Sequence, residues 1–105
     1  MKTPKNLEEA IEIIKKNTNI RDTETEEHFT SDYHHTLGRD IRNNWGFWQD
    51  SPLKQELIAL GLHHPDDMSG LILQCAYRDL KGIPRDIPGI VKYYQDYWKT
   101  QCTKS

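Results

Sequence analysis

The stretch from His64 to Gly82 constrains the fold more than any other part of the chain. His64-Pro65-Asp66-Asp67 has the form of a helix start. His64 can cap, proline at the first helical position loses no hydrogen bond, and two carboxylates fall where the helix dipole favours negative charge. Gly82 has the form of a stop. Between them Met68, Leu71, Ile72, Leu73, Cys75, Ala76 and Leu80 make the segment apolar around much of its circumference. Such a helix belongs in the middle of a domain, with the other segments laid against it.

Four other segments carry helical signals. Asn6 and Glu9 have capping-box spacing, and Leu7, Ala10, Ile11 and Ile14 share one face of the helix that follows. That pattern ends at Asn17-Thr18-Asn19, and residues 17–24 read as a polar connection. From about Thr25 a second, longer helix carries Phe29, Tyr33, Leu37 and Ile41 at every fourth position, a slowly drifting stripe. Gly38 weakens it by roughly 1 kcal/mol relative to Ala unless a close contact requires it. Asn43, Asn44 and Gly46 end it, and the rings of Trp45, Phe47 and Trp48 are expected to close over the core from a turn. Ser51-Pro52 starts a third helix with Leu53, Leu57, Ile58 and Leu60, ended by Gly61. After the central helix, Ile83-Pro84 and Ile87-Pro88 set an extended connection. A last helix then runs from Pro88 to about Thr100, with Ile90, Val91, Tyr94 and Trp98 inward and Lys92, Gln95, Asp96 and Lys99 outward. One Val stands against ten Ile and nine Leu, and no stretch alternates apolar and polar residues over strand length. The reading is an all-α fold of about five short helices, one domain over residues 1–105, with an amphipathic helix and acidic linker in residues 1–24.

Charge and cysteine usage narrow the function classes. Sixteen acidic and fourteen basic residues are mixed along most of the chain, so no basic face suits a phosphate backbone and nucleic-acid binding is not expected. The longest single-sign stretch is Asp22, Glu24, Glu26, Glu27 and Asp32, which reads as a solvated loop and helix start. Cys75 and Cys102 match no paired spacing, no secretory signal is visible, and no apolar run approaches the roughly 18 residues of a membrane span. A cytoplasmic protein without a disulfide is expected.

His28, His34, His35, His63 and His64 include no pair four residues apart, so neither a metal nor another cofactor is expected. Asp66 and Asp67 beside His64 could support acid–base chemistry. Adjacent carboxylates on a helix point about 100° apart, however, and helix capping wants the same residues. Arg42-Asn43-Asn44-Trp45 is the densest polar-aromatic cluster. It could recognise a carboxylate, a phosphate or a partner's backbone, or it could lock two helices together, and the residues leave both open. No phosphate-binding glycine loop, nucleophile elbow or His-Glu-x-x-His pattern is present.

Three stretches act together as motifs: His34-His35-Thr36-Leu37-Gly38, Arg42-Asn43-Asn44-Trp45-Gly46-Phe47-Trp48, and Leu60-Gly61-Leu62-His63-His64-Pro65-Asp66-Asp67-Met68-Ser69-Gly70. With Tyr93-Tyr94-Gln95-Asp96-Tyr97-Trp98 they resemble an uncharacterised family of small bacterial and phage domains over about residues 28–99. Phe47 stands where the family pattern has Leu. The resemblance implies a bacterial or phage setting and an address for a site, with no chemistry attached.

Two motif-rich helix ends separated by one short helix are expected to converge. That would bring His34, Arg42, Asn44, Trp45, His64, Asp66 and Asp67 to one place. The favoured function is a non-catalytic protein-binding module with a protein partner, such as a phage-encoded inhibitor of a host defence or a bacterial immunity-type protein. The alternative is a small-molecule-binding or hydrolytic domain using His34, Arg42, His64 and Asp66 in a cleft between the second and fourth helices. A concave pocket of convergent polar groups would favour the alternative, and a surface with exposed aromatics the module.

Overall fold

The computed structural model describes residues 3–18, 25–45 and 51–102, with side chains as far as Tyr97. The proposed rings of Phe47, Trp48 and Trp98, the side chain of Cys102, and residues 19–24 of the acidic linker lie outside the described residues. Among those described, the helices are α1 (Leu7–Asn17), α2 (Glu26–Tyr33), a π-helical turn (His34–Gly38), α3 (Arg39–Asn44), α4 (Pro52–Leu60), α5 (Pro65–Lys81) and α6 (Ile87–Cys102). No strand occurs among them. Since α2, the π turn and α3 run on without a break, the described residues form five rods, and the fold is all-α.

Local chemistry sets the ends. Asn6 Oδ1 accepts from the Glu9 amide at 2.9 Å, while the Glu9 carboxylate accepts from the amide of Lys5 rather than Asn6. The returning half of the capping box thus lands one residue early. The amide of Leu7 donates to Glu56 Oε1 of α4 at 2.8 Å, so a second helix helps to cap the first. Thr25 and Ser51 cap α2 and α4 in the same way, accepting from His28 and Lys54. Gly61 (φ 112°) and Gly82 (φ 72°) close α4 and α5 in the left-handed conformation, which costs other residues strain.

The π turn explains the four-residue stripe of the second helix. Each fourth residue overshoots an α-turn by about 0.4 residue, so the three steps from Phe29 to Ile41 overshoot by about 1.2. A π turn takes in one extra residue and removes nearly all of that drift. Phe29 and Ile41 are consequently both fully buried, with Tyr33 and Leu37 packed against the core between them.

Helix α5 is the central element: α1, α2, the π turn, α3 and α6 all pack on it. Met68, Leu71, Ile72, Leu73, Cys75 and Ala76 are fully buried, and so is Ser69. Burial pushes the Cys75 thiol up to about 11, so this cysteine fills space as a neutral thiol. Two leucines depart from the sequence reading. Leu60 and Leu80, in the last turns of α4 and α5, are each 37% exposed. The last helix begins at Ile87 instead of Pro88, with Ile90 and Val91 buried as expected and Tyr94 half-buried.

Arginines tie the far end of α5 to its neighbours. Arg85, in the connection to α6, grips both oxygens of Asp79 at 2.8 and 2.7 Å and reaches Glu8 of α1 at 2.6 Å. Lys15 of α1 also approaches Asp79, at 3.4 Å. Hydrogen bonding from Arg85 is the main cause that holds the Asp79 carboxyl below its ordinary 3.8. A depressed folded pKa means that this stabilisation is complete above 3.8 and disappears as pH falls through the lower folded value. Asp79→Asn is therefore expected to destabilise the protein by about 1–2 kcal/mol near neutral pH. Urea midpoints should show the gap between variant and parent closing as pH is lowered well past 3.8.

Candidate functional site

The N-terminal turn of α5 meets the π turn and α3 through Arg42. The residue is buried, at 7% exposure. Its Nη1 donates to Ser69 Oγ at 2.9 Å, its Nη2 to the His34 carbonyl at 3.4 Å, and its Nε lies 3.2 Å from Asp66 Oδ1. Ser69 in turn donates to the Asp66 carbonyl at 3.0 Å, so one guanidinium engages three polar groups on two elements. Gly38 permits the close approach. A Cβ there would lie 3.3 Å from Arg42 Nη1 and 3.6 Å from Leu73 Cδ1, the close contact that justifies a glycine inside a helix.

His64 caps α5 with its imidazole, Nδ1 accepting from the Asp66 amide at 3.1 Å. That bond occupies the Nδ1 lone pair. The same nitrogen lies 3.8 Å from Asp66 Oδ2. Burial first, and then the charge of Arg42, hold His34 below the ordinary histidine value, so it is neutral at neutral pH.

Five of the seven expected residues gather here: His34, Arg42, His64, Asp66 and Asp67. Trp45 and Asn44 do not. Trp45 is fully buried in the core, and Asn44 is exposed with its amide turned back to the Asp40 carbonyl at 2.8 Å. Arg42 itself is an internal tie, in line with the locking alternative for its cluster. Asp66 and Asp67 diverge as their helical spacing requires, Asp66 to Arg42 and Asp67 toward the Tyr94 phenol.

The surface in front of this tie is a groove of about 830 Å³. Its floor is a four-residue stripe of α5, namely Asp66, Gly70, Gln74 and Arg78, with Asp67 beside it. One wall is the face of α2 and the π turn bearing Glu26, Glu27, Thr30, Ser31, His34 and His35. The other is α6 and the residue before it, bearing Asp86, Tyr93, Tyr94 and Tyr97. Tyr93 and Tyr97 are 64% and 49% exposed, the most open large hydrophobic side chains among the described residues. A smaller hollow of about 450 Å³ lies behind Asp67 and Tyr94, beside His63 and His64. Among the described residues no three His, Cys, Asp or Glu side chains come together as metal ligands, and no helix is long and apolar enough to cross a membrane.

A cleft between the second and fourth helices was expected, but the face of α2 bearing Glu26, Glu27, Thr30 and Ser31 and the whole α6 wall were not. The signal was present as Glu26/Glu27, Thr30/Ser31 and His34/His35 at four-residue steps, and as Tyr93 and Tyr97 four apart. Which faces oppose each other depends, though, on how both helices sit on α5.

A family model described as Domain of unknown function (DUF6794) matches residues 3–80. The chain belongs to this family. The DUF6794 match starts earlier than the resemblance read from the motifs and takes in α1. It also stops earlier, inside α5, so Arg42, His34, His64, Asp66 and Asp67 lie within it while Tyr93 and Tyr97 lie beyond it. No curated protein and no solved structure matches the chain.

Gly70 seats the α6 wall on the DUF6794 floor: a Cβ at this position would collide with the Tyr94 hydroxyl. Burial, and next the nearby Asp67 charge, raise the Tyr94 phenol, which stays protonated and lies 3.5 Å from Gln74 Oε1 as donor. Gly70→Ala is expected to cost about 1–3 kcal/mol through overpacking. Tyr94→Phe in the same chain should recover part of that loss. Chemical denaturation of the two single variants and the double variant measures the coupling.

Proposed function

We propose that this protein is a non-catalytic protein-binding module of the cytoplasm, and that its partner occupies the groove walled by α2 and α6. Two tyrosines lying largely open beside a ligand-sized groove carry the reading, since aromatic rings with one wet edge are characteristic anchors of protein interfaces. The groove is partly open to solvent, and the buried Arg42, the cation the motifs single out, is engaged internally by Ser69, His34 and Asp66. Both features suit an extended protein surface better than an enclosed small-molecule site. An inhibitor of a host defence or an immunity-type protein is the kind of role such a module fills.

A photoreactive residue placed at Tyr93 or Tyr97, in the organism that encodes the chain, tests this directly. The expected result is a specific protein adduct from these positions and none from Glu12 or Lys16 on the outer face of α1, where both side chains are exposed. Adducts from α1 alone, or retention of a dialysable small molecule in place of protein, would contradict the reading.

A further inference from the structure

The lining of the groove has a pronounced charge. Glu26, Glu27, Asp66, Asp67 and Asp86 contribute five carboxylates, of which Glu26 is paired with Arg78 and Asp66 with Arg42, and Arg78 is the one arginine or lysine among the described lining residues. Arg78 is already held by Glu26 through paired contacts of 2.8 and 3.1 Å and by the Arg85 carbonyl at 2.6 Å. His34, kept neutral by burial and by Arg42, adds no positive charge. The chain as a whole is nearly balanced at −2, so the negative character is concentrated in the groove and does not follow from composition.

The aromatic wall complements that charge. Tyr93 and Tyr97 are one helical turn apart on α6, and the Tyr94 ring meets Tyr93 edge-on at 5.4 Å and 74°. Tyrosine faces attract cations, and a guanidinium or ammonium over a ring can keep its hydrogen bonds to carboxylates at the ring's edge.

Resting on the protein-binding reading of the groove, we infer that its occupant is a basic segment of the partner protein, with arginine or lysine side chains laid over Tyr93 and Tyr97 and drawn by the net negative charge of the groove. Complementary charge would also speed encounter and make association sensitive to salt.

The full-length protein is titrated with three matched sets of peptides, rich in Arg and Lys, in Gln, or in Asp and Glu, and with spermidine. Binding is followed by amide chemical shifts. The basic set is expected to perturb residues 26–35 and 86–97 and to bind at least about tenfold more tightly than the neutral set. Affinity should fall at least about tenfold in Tyr93→Ala/Tyr97→Ala, and again when salt is raised from about 50 to 500 mM. Folding of the double variant is confirmed by an unchanged amide spectrum away from α6. Equal binding of neutral or acidic peptides, shifts on another face, no binding of the basic set at millimolar concentration, or a spermidine preference over the basic peptides would each overturn the inference. Neutral or acidic peptides seated in the groove would leave the protein-binding reading standing, whereas cross-links confined to α1 would remove that reading whatever the peptides do.

Discussion

A guanidinium buried between two helices is costly unless its donors are matched, and here the matching decides the geometry. Arg42 takes a hydroxyl from α5, a carbonyl from the π turn and a carboxylate from the first turn of α5. The three acceptors lie in different directions, so the planar fork fixes both the distance and the rotation of one helix relative to the other. A purely apolar contact between α3 and α5 would tolerate sliding. The π turn belongs to the same device. It disturbs the regular hydrogen-bond ladder, and the His34 carbonyl at its start accepts from Arg42 eight residues later in the chain.

Once that joint is fixed, α5 serves two purposes on two faces. Its apolar side fills the core against α1, α2 and α3. Its polar stripe of Asp66, Gly70, Gln74 and Arg78 runs along the opposite edge, where α2 and α6 stand off from each other and leave the groove. The smallest residue of the stripe, Gly70, lets Tyr94 press down and seat α6. Charge is arranged along the groove in the same graded way. Asp66 is tied by Arg42 and Glu26 is tied by Arg78, while Glu27 and Asp86 are exposed. The result is a negative groove with two open aromatic rings, built on a helix whose other side is buried in the core.

Much of this was legible locally. Asn6, Ser51 and His64 could be read as caps, and Gly61 and Gly82 as stops, because capping depends on a few adjacent residues. The joining of the second and fourth helix ends was readable too, since one short helix between them brings them back side by side. The π turn was not read, although the four-residue spacing of Phe29, Tyr33, Leu37 and Ile41 contained it: twelve residues exceed three α-turns by one residue. Trp45 read as a candidate binder because an aromatic beside Arg and Asn suits either a surface or a core. Only the packing of α3 onto α5 shows it to be core. The tyrosine wall escaped for a related reason. Tyr93 and Tyr97 flank the inward face of α6, and whether they meet solvent or another helix depends on the distance between α2 and α6, which no local pattern encodes.

Arg42 holds the site together from within. Equilibrium denaturation of Arg42→Ala beside Tyr93→Ala/Tyr97→Ala tests it most directly. Losing the buried guanidinium strands the His34 carbonyl and leaves a void. Arg42→Ala is therefore predicted to lose about 2–4 kcal/mol, while the open tyrosines cost no more than about 0.5 kcal/mol each. An Arg42→Ala protein as stable as the parent would contradict the account.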